Sequence, residues 1–391
     1  MRAMKRICVV VSSEMTIKAF LVDQLRALSS QHQVSVVANA KDDTFLAGLG
    51  IAAEAIPIAI IRKIAVLRDL KALWFLWRLF RAHRFDAVHS VTPKAGLLAM
   101  VAAAMAGVPN RTHMFTGQVW ATRTGAFRHM LKSIDWLIAR LATRVLADSQ
   151  SQREFLIDEG VVSRERISVL GAGSISGVDL SRFKPDSEAR DSVRSELHLP
   201  KSSLVLLYVG RLNKDKGVLD LAEAFMAVSR RFPSLYLLLV GQDEEAMVPR
   251  FKAICAPCLN QLRFVAFTPA PERYMAASDA LCLPSYREGF GSVIIEAAAA
   301  GLPAMASRIY GITDAVVDGE TGILYEPRNP IQIAQVIERL ASEPRLMKAM
   351  AESARYRART MFAKEALTSA MVEFYANLLT PRKAARHPAQ I

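Results

Sequence analysis

Hydrophobic positions along the chain fall into two alternating series. The first opens with the continuous apolar run Ile7–Val11, followed by apolar residues at helical spacing through Phe20, Leu21, Leu25 and Leu28. Val34, Val36 and Val37 predict the next strand. A strand near 55–61, a helix over 66–84, a strand over 86–89 and a helix over 93–106 follow. Residues 111–115 and 144–147 then read as strands around a helix over 126–141. The second series starts at Leu204–Gly210 and continues with a helix over 217–231, a strand over 235–240, a helix near 244–256 and a strand over 264–267. A short helix near 272–277, a strand over 280–283, a helix over 292–300 and a strand over 303–306 complete it, with helices from about Ile331 onward. Strands that alternate with helices of this length predict parallel βαβ units. Ser181–Ser203, polar and charged with Pro185 and Pro200, separates the series. The division is therefore placed at 185/186, giving domains 1–185 and 186–391. The expected fold class is α/β: two Rossmann-like, doubly wound domains facing each other across a cleft, with ligands at strand C-termini.

The length of 391 residues agrees with two domains rather than one core. A hydrophobic fraction of 52% with 22% charged residues excludes a disordered chain. No apolar run reaches the roughly 18 residues of a spanning helix. Lys5 and Arg6 precede only the short run Ile7–Val11, below the roughly seven apolar residues of a secretory leader. Four cysteines give no disulfide framework, so a reduced, cytoplasmic setting is expected. Cys255 and Cys258 have the spacing of a metal or redox pair. No second pair or nearby histidine completes a zinc site, and both read as small buried residues.

Two motifs in the second series carry chemistry. Gly210-Arg211-Leu212-Asn213-Lys214-Asp215-Lys216-Gly217 leaves a strand and enters a helix, whose free N–H groups favour an anion. Arg211 and Lys216 there suit a diphosphate. Ser285-Tyr286-Arg287-Glu288-Gly289-Phe290-Gly291-Ser292 follows another strand, with Ser292 a good N-cap type and Glu296 expected in the first helical turn. In the first series, Ser12-Ser13-Glu14-Met15-Thr16 and Val91-Thr92-Pro93-Lys94-Ala95-Gly96 occupy strand-to-helix turns. His113 lies in a strand and Thr116-Gly117-Gln118 just beyond it.

Gly-Arg-Leu followed by Lys-Gly, and Glu288 paired with Glu296 at Glu-x7-Glu spacing, resemble the retaining glycosyltransferases of family 4, which have the GT-B fold. Val240-Gly241, Gly177-Val178-Asp179 with Arg182-Phe183, and Asp318-Gly319-Glu320-Thr321-Gly322 extend the resemblance over almost the whole chain. It implies a donor site in the C-terminal domain and a C-terminal helix, about 361–380, crossing back to the N-terminal domain. Arg211 and Lys216 would hold the donor diphosphate, Glu296 the ribose hydroxyls and Glu288 the transferred sugar. Gly210, Gly289, Phe290, Gly291 and Ser292 would line the donor. Thr116, aligned where relatives carry a histidine, would contact the sugar with Gly117 and Gln118. The Thr-Pro-Lys-Ala-Gly segment resembles members that build bacterial surface polysaccharides, and implies Lys94 at an acceptor phosphate. No Asp-x-Asp occurs in the chain. The expected donor is a nucleotide sugar, UDP-linked by the resemblance, bound without a metal or other cofactor.

The formal net charge of +13 is concentrated. Residues 62–144 hold 14 basic and 3 acidic side chains, and residues 345–391 hold 9 and 3. Arg62, Lys63, Arg68, Lys71, Arg78, Arg81 and Arg84 interleave with Leu67, Leu70, Trp74, Phe75 and Trp77. Trp120, Arg123, Phe127, Arg128, Lys132, Trp136, Arg140 and Arg144 form a second such stretch. The apolar residues of 66–80 are expected to pack the domain. The excess of cations points to an anionic membrane face. No helix-turn-helix, finger or stacking platform accompanies the charge, so nucleic acid is not the expected partner. The expected activity is transfer of a hexose, with retention, to a lipid-diphosphate-linked sugar. The setting would be O-antigen, capsule, lipopolysaccharide or related glycan assembly, peripheral on the cytoplasmic face of the membrane. The alternatives are a nucleotide-sugar epimerase of the same fold and a non-catalytic membrane- or polyanion-binding module.

Overall fold

The computed structural model describes residues 4–40, 42–60 and 65–380. Arg62 and Lys63 of the basic stretch, and the last residues of the basic tail from 381, lie outside the described residues. The strands are β1 (Arg6–Val10), β2 (Gln33–Ala38), β3 (Glu54–Pro57), β4 (Ala87–Val91), β5 (Asn110–Phe115), β6 (Arg144–Ala147) and β7 (Ile167–Val169) in the N-terminal half. The C-terminal half holds β8 (Leu204–Val209), β9 (Leu235–Val240), β10 (Leu262–Val265), β11 (Ala280–Leu283), β12 (Ala304–Ser307) and β13 (Gly322–Tyr325).

The first sheet has the order β3-β2-β1-β4-β5-β6-β7 and the second β10-β9-β8-β11-β12-β13. In the second sheet every adjacent pair is parallel. In each sheet the first strand lies between the second and fourth, so strand order reverses beside it. The loops after β1 and β4, and those after β8 and β11, therefore open at a switch point, where such sheets bind ligands. β8 shows why the strands are apolar on both faces. Val205 and Leu207 belong to one buried cluster and Leu206 and Tyr208 to the other, as a sheet covered by helices on both sides requires.

Two compact units divide the chain. One holds Met1–Met114, Leu137–Val145 and Thr368–Ile391, the other Phe115–Trp136 and Leu146–Leu367. Thr116, Gly117 and Gln118, expected in the N-terminal domain, thus belong to the same unit as the second sheet. Within the first unit, the C-terminal helix Lys364–Leu378 contributes Tyr375, whose hydroxyl is 2.8 Å from His89 Nδ1 on β4.

Several elements differ from expectation. The expected separator carries a helix, Ser187–Glu196, capped by Asp186 accepting from Ala189 N at 2.9 Å. Its Arg190 and Arg194 hold Asp279 from 2.7 and 2.9 Å. The helical pattern after β1 is two helices, Glu14–Phe20 and Val22–Ser29. The helix Gln150–Asp158 and strands β7 and β13 were not legible in the pattern.

Candidate active site

The loop after β8 is drawn tight by its own backbone. Tyr208 Oη donates to the Arg211 carbonyl at 2.7 Å, and Lys214–Lys216 forms a single 3-10 turn. Gly217 follows in the left-handed region at φ +62°, and a Cβ there would lie 2.0 Å from the Pro284 carbonyl oxygen. Only glycine lets this loop pass so close to the end of β11. Tyr286 N donates to the Asp215 carbonyl at 2.8 Å and Arg287 Nη2 pairs with Asp215 at 3.1 Å, so the loops after β8 and β11 are locked together.

That lock brings Lys216 to Glu288. Lys216 Nζ pairs with Glu288 Oε1, and Ser285 Oγ donates to the same oxygen at 2.8 Å. Both charged side chains are largely buried. Arg211 reaches Glu244 instead, Nη1 to Oε2 at 3.1 Å, and Asn213 Nδ2 donates to that carboxylate at 3.0 Å. The two cations expected at a diphosphate therefore each rest on a carboxylate. The helix after the loop is Ser292–Ala299, with Gly291 at φ +77° in the N-cap position and Ser292 already helical. Glu296 accordingly lies beyond the first turn, where an attraction to the helix dipole no longer explains it. Burial pushes its carboxyl up to about 7; Arg182 opposes the shift and Glu272 adds to it.

The wall behind Glu288 is built from two other segments. A Cβ on Gly289 would lie 2.7 Å from Asp148 Oδ2 and 2.7 Å from the carbonyl carbon and oxygen of Thr116. Ser149 Oγ donates to the Gly289 carbonyl at 3.3 Å. Gln118 N donates to Tyr310 Oη at 3.2 Å. Tyr310 stacks on Phe155, which stacks on Trp120, with centroid separations of 4.5 and 5.2 Å. Trp120 Nε1 in turn donates to buried Asp135 at 2.7 Å. The Thr116–Gln118 segment is thus braced by a column of rings.

The chain matches two family models. The Glycosyl transferase 4-like domain spans residues 17–173 and Glycosyl transferases group 1 spans 189–357. An Escherichia coli UDP-Gal:alpha-D-GlcNAc-diphosphoundecaprenol alpha-1,3-galactosyltransferase is 30% identical over 271 residues, covering 68% of each chain. The chain belongs to the group 1 glycosyltransferases. The capsular polysaccharide biosynthesis glycosyltransferase CapM of Staphylococcus aureus is 29% identical over 81% of this glycosyltransferase and 83% of its own length. The crystal structure of Anabaena HepE in complex with UDP and glucose superposes with a TM-score of 0.80 at 21% identity, over 95% of this chain and all of that one. It shares the GT-B fold of two parallel-sheet, Rossmann-like domains.

Within the glycosyltransferase, the structure gathers Lys216, Glu288, Gly289, Thr116 and Gly117 around one point. The Phe290 ring lies in the core, 5.3 Å from Phe362, which leaves only its backbone for a ligand. Gln118 is fully buried; its Oε1 accepts from Gln152 Nε2 at 3.3 Å, which turns it toward the frame. Lys94 sits in the first unit at the start of the helix Pro93–Met105 and pairs with Asp69 at 2.7 Å. His113 is buried with Nδ1 2.8 Å from Ser90 Oγ, and burial holds its pKa down at about 3. Sequence reasoning missed Ser285, Glu244, Tyr310 and Asp148. Ser285 lies within a quoted motif, three residues before the carboxylate it donates to, and Glu244 follows Val240-Gly241 closely enough to be weighed as a partner for Arg211. Asp148 had one signal, a carboxylate at a strand end beside the N-cap serine Ser149.

Proposed function

We propose that this glycosyltransferase moves a hexose, with retention and without a metal ion, from a nucleotide diphosphate onto a lipid-diphosphate-linked sugar. The observation that carries the reading is the Lys216–Glu288–Ser285 cluster at the switch point of the second sheet, with Arg211 on the same loop. A departing nucleoside diphosphate develops negative charge, and Lys216 and Arg211 supply fixed positive charge at the loop where it would lie. Backbone amides around Gly289–Ser292, at the start of a helix, add to that field. Glu288, held by Lys216 and Ser285, faces the transferred sugar. Glu296, with no hydrogen-bond donor to its carboxylate among the described residues, takes the ribose hydroxyls. The UDP moiety is favoured by the names of the E. coli relative and the HepE complex. The lipid-diphosphate-linked acceptor is favoured by the name of the E. coli relative, and the capsule setting by that of CapM. The acceptor's carrier would lie in a membrane, and the exposed face of the helix Val66–His83 supports docking at its cytoplasmic surface.

Glu288→Gln should lower kcat for sugar transfer by about 100-fold or more, the scale of losing one preorganised electrostatic contact. Lys216→Ala should do the same, and wild-type turnover should persist in a chelator. Unchanged turnover of Glu288→Gln on a panel of nucleotide sugars with a lipid-diphosphate acceptor would overturn the site. Loss of all turnover in a chelator would overturn metal independence.

A further inference from the structure

We infer that Asp148 is a positioning residue of the transfer reaction, its carboxyl group clamping Gly289 against the Thr116 peptide and so fixing the backbone that carries Glu288. The inference rests on the glycosyltransfer reading above. Asp148 follows β6 and is only 3% exposed. Its backbone is fixed on both sides: its N donates to Gln152 Oε1 at 2.8 Å, and its carbonyl accepts from Ser174 N at 2.6 Å. The side chain is thereby aimed at Gly289, whose missing Cβ leaves the space that Oδ2 and the Thr116 carbonyl close around. A Cβ on Gly311 would come within 2.4 Å of the Gly289 carbonyl oxygen, so that residue is enclosed from this direction too. Glu288 precedes it directly, and its carbonyl carbon is 3.3 Å from where a Gly117 Cβ would stand.

The carboxyl is not held there by an opposite charge. Asp148 Oδ1 is buried without a hydrogen-bond partner among the described residues, and so is Gln118 Nε2 on the neighbouring segment. The titratable groups on the adjoining segments are otherwise engaged. Glu288 is tied to Lys216 and Ser285, Asp314 to Ser151 and the amides of 150 and 151, and Tyr310 to Gln118 N. Burial alone raises the Asp148 pKa well above the carboxylate range. An unpaired buried carboxylate is far costlier than a neutral carboxyl, so the group acts protonated. Ionising it would put a bare charge against the Gly289 turn and the Thr116 carbonyl, and would loosen the seat of Glu288.

The test uses the full-length protein, with UDP binding measured by calorimetry and turnover measured on a panel of UDP-, GDP-, ADP- and dTDP-sugars. Asp148→Ala should lower kcat by about tenfold or more, as a small misplacement of a reacting group does, with donor KM changed less than about threefold. Asp148→Asn, a neutral isostere, should restore kcat to within about threefold. Wild-type kcat should fall on the alkaline side while that of Asp148→Asn stays level, because only the carboxyl can ionise. An Asp148→Ala enzyme as fast as wild type, or an Asp148→Asn enzyme as slow as Asp148→Ala, overturns the inference. Should Asp148→Ala not fold, matching alkaline limbs in wild type and Asp148→Asn overturn it. Normal turnover by Glu288→Gln in the same assay defeats the glycosyltransfer site itself, whatever Asp148 does. A wild-type protein that binds no UDP and turns over no donor defeats both.

Discussion

Glu288 and Glu296 are eight positions apart, yet their surroundings differ in kind. Glu288 is held by a cation and a hydroxyl, whereas burial leaves Glu296 with a pKa pushed up to about 7. Its sign follows from linkage. A raised carboxyl pKa favours the fold below the ordinary value of 4.5, and that contribution is lost as pH rises toward 7. Sugar hydroxyls donate to the ionised form, so donor binding should strengthen as pH rises through the same range. Donor KM should fall about tenfold between about pH 6 and pH 8, and Glu296→Gln should show a flat profile over that interval. In the ligand-free protein the same substitution should flatten the decline in melting temperature between pH 4.5 and 7. A wild-type KM that does not move over this interval would remove Glu296 from the ribose. The Glu-x7-Glu spacing was plain in the sequence, but the different environments were not. Ser285 is local to Glu288, but Arg182, Glu272 and Lys216 are not, and no local pattern connects them to the pair.

At the scale of elements, long strands with continuous apolar character, such as β8 and β9, were legible because both faces are buried. β7 and β13 span three and four residues and offer no period to read. The helix Ser187–Glu196 falls in the polar stretch that separates the two series and is not legible as a helix there, because its stability is not local. Val193 is buried, and its arginines are satisfied by Asp279 some 85 residues away. The C-terminal helix is anchored in a comparable way. Tyr375 is fully buried, and its hydroxyl meets His89 Nδ1, while His89 Nε2 has no partner among the described residues. Burial lowers the His89 pKa to about 4, so the ring is neutral at pH 7. Tyr375→Phe leaves a second buried nitrogen unpaired and should cost about 1–3 kcal/mol of stability, measured by denaturant unfolding. A change below about 0.5 kcal/mol would mean that apolar packing alone seats this helix. The depressed histidine also makes a signed contribution: stability present above pH 6.5 is lost as pH falls toward 4.

For the whole molecule, the basic excess divides once contacts are known. Arg128 and Lys132 both pair with Glu159 and lie over the ring of buried Trp120, and Lys94 pairs with Asp69. These cations are structural. On the helix Val66–His83, by contrast, Arg68, Lys71, Arg78 and Arg81 are exposed and have no carboxylate partner among the described residues, as is Arg84 just beyond it. Its buried face needs only Ala72, Leu76 and Phe80. The expectation that its other apolar residues pack the domain is corrected: Leu67 is 84% and Trp74 46% exposed, with Val66, Leu70 and Phe75 also in the open. Arg78 stacks on Trp74 at 4.7 Å, and Lys71 lies over Phe75. Exposed apolar residues set among unpaired cations on one helix suit an anionic bilayer surface, where each cation contributes about 1 kcal/mol. Replacing Arg78, Arg81 and Arg84 with serine should therefore weaken binding to phosphatidylglycerol vesicles by about two orders of magnitude. Leu67→Glu should weaken binding further. High salt should reproduce most of the first effect, because the charges are screened, but little of the second. Donor hydrolysis in solution should be unchanged, since Lys216 and Glu288 belong to the other compact unit. Equal binding of the triple variant to anionic vesicles, or equal binding of wild type to neutral ones, would defeat the docking surface and leave the donor site untouched.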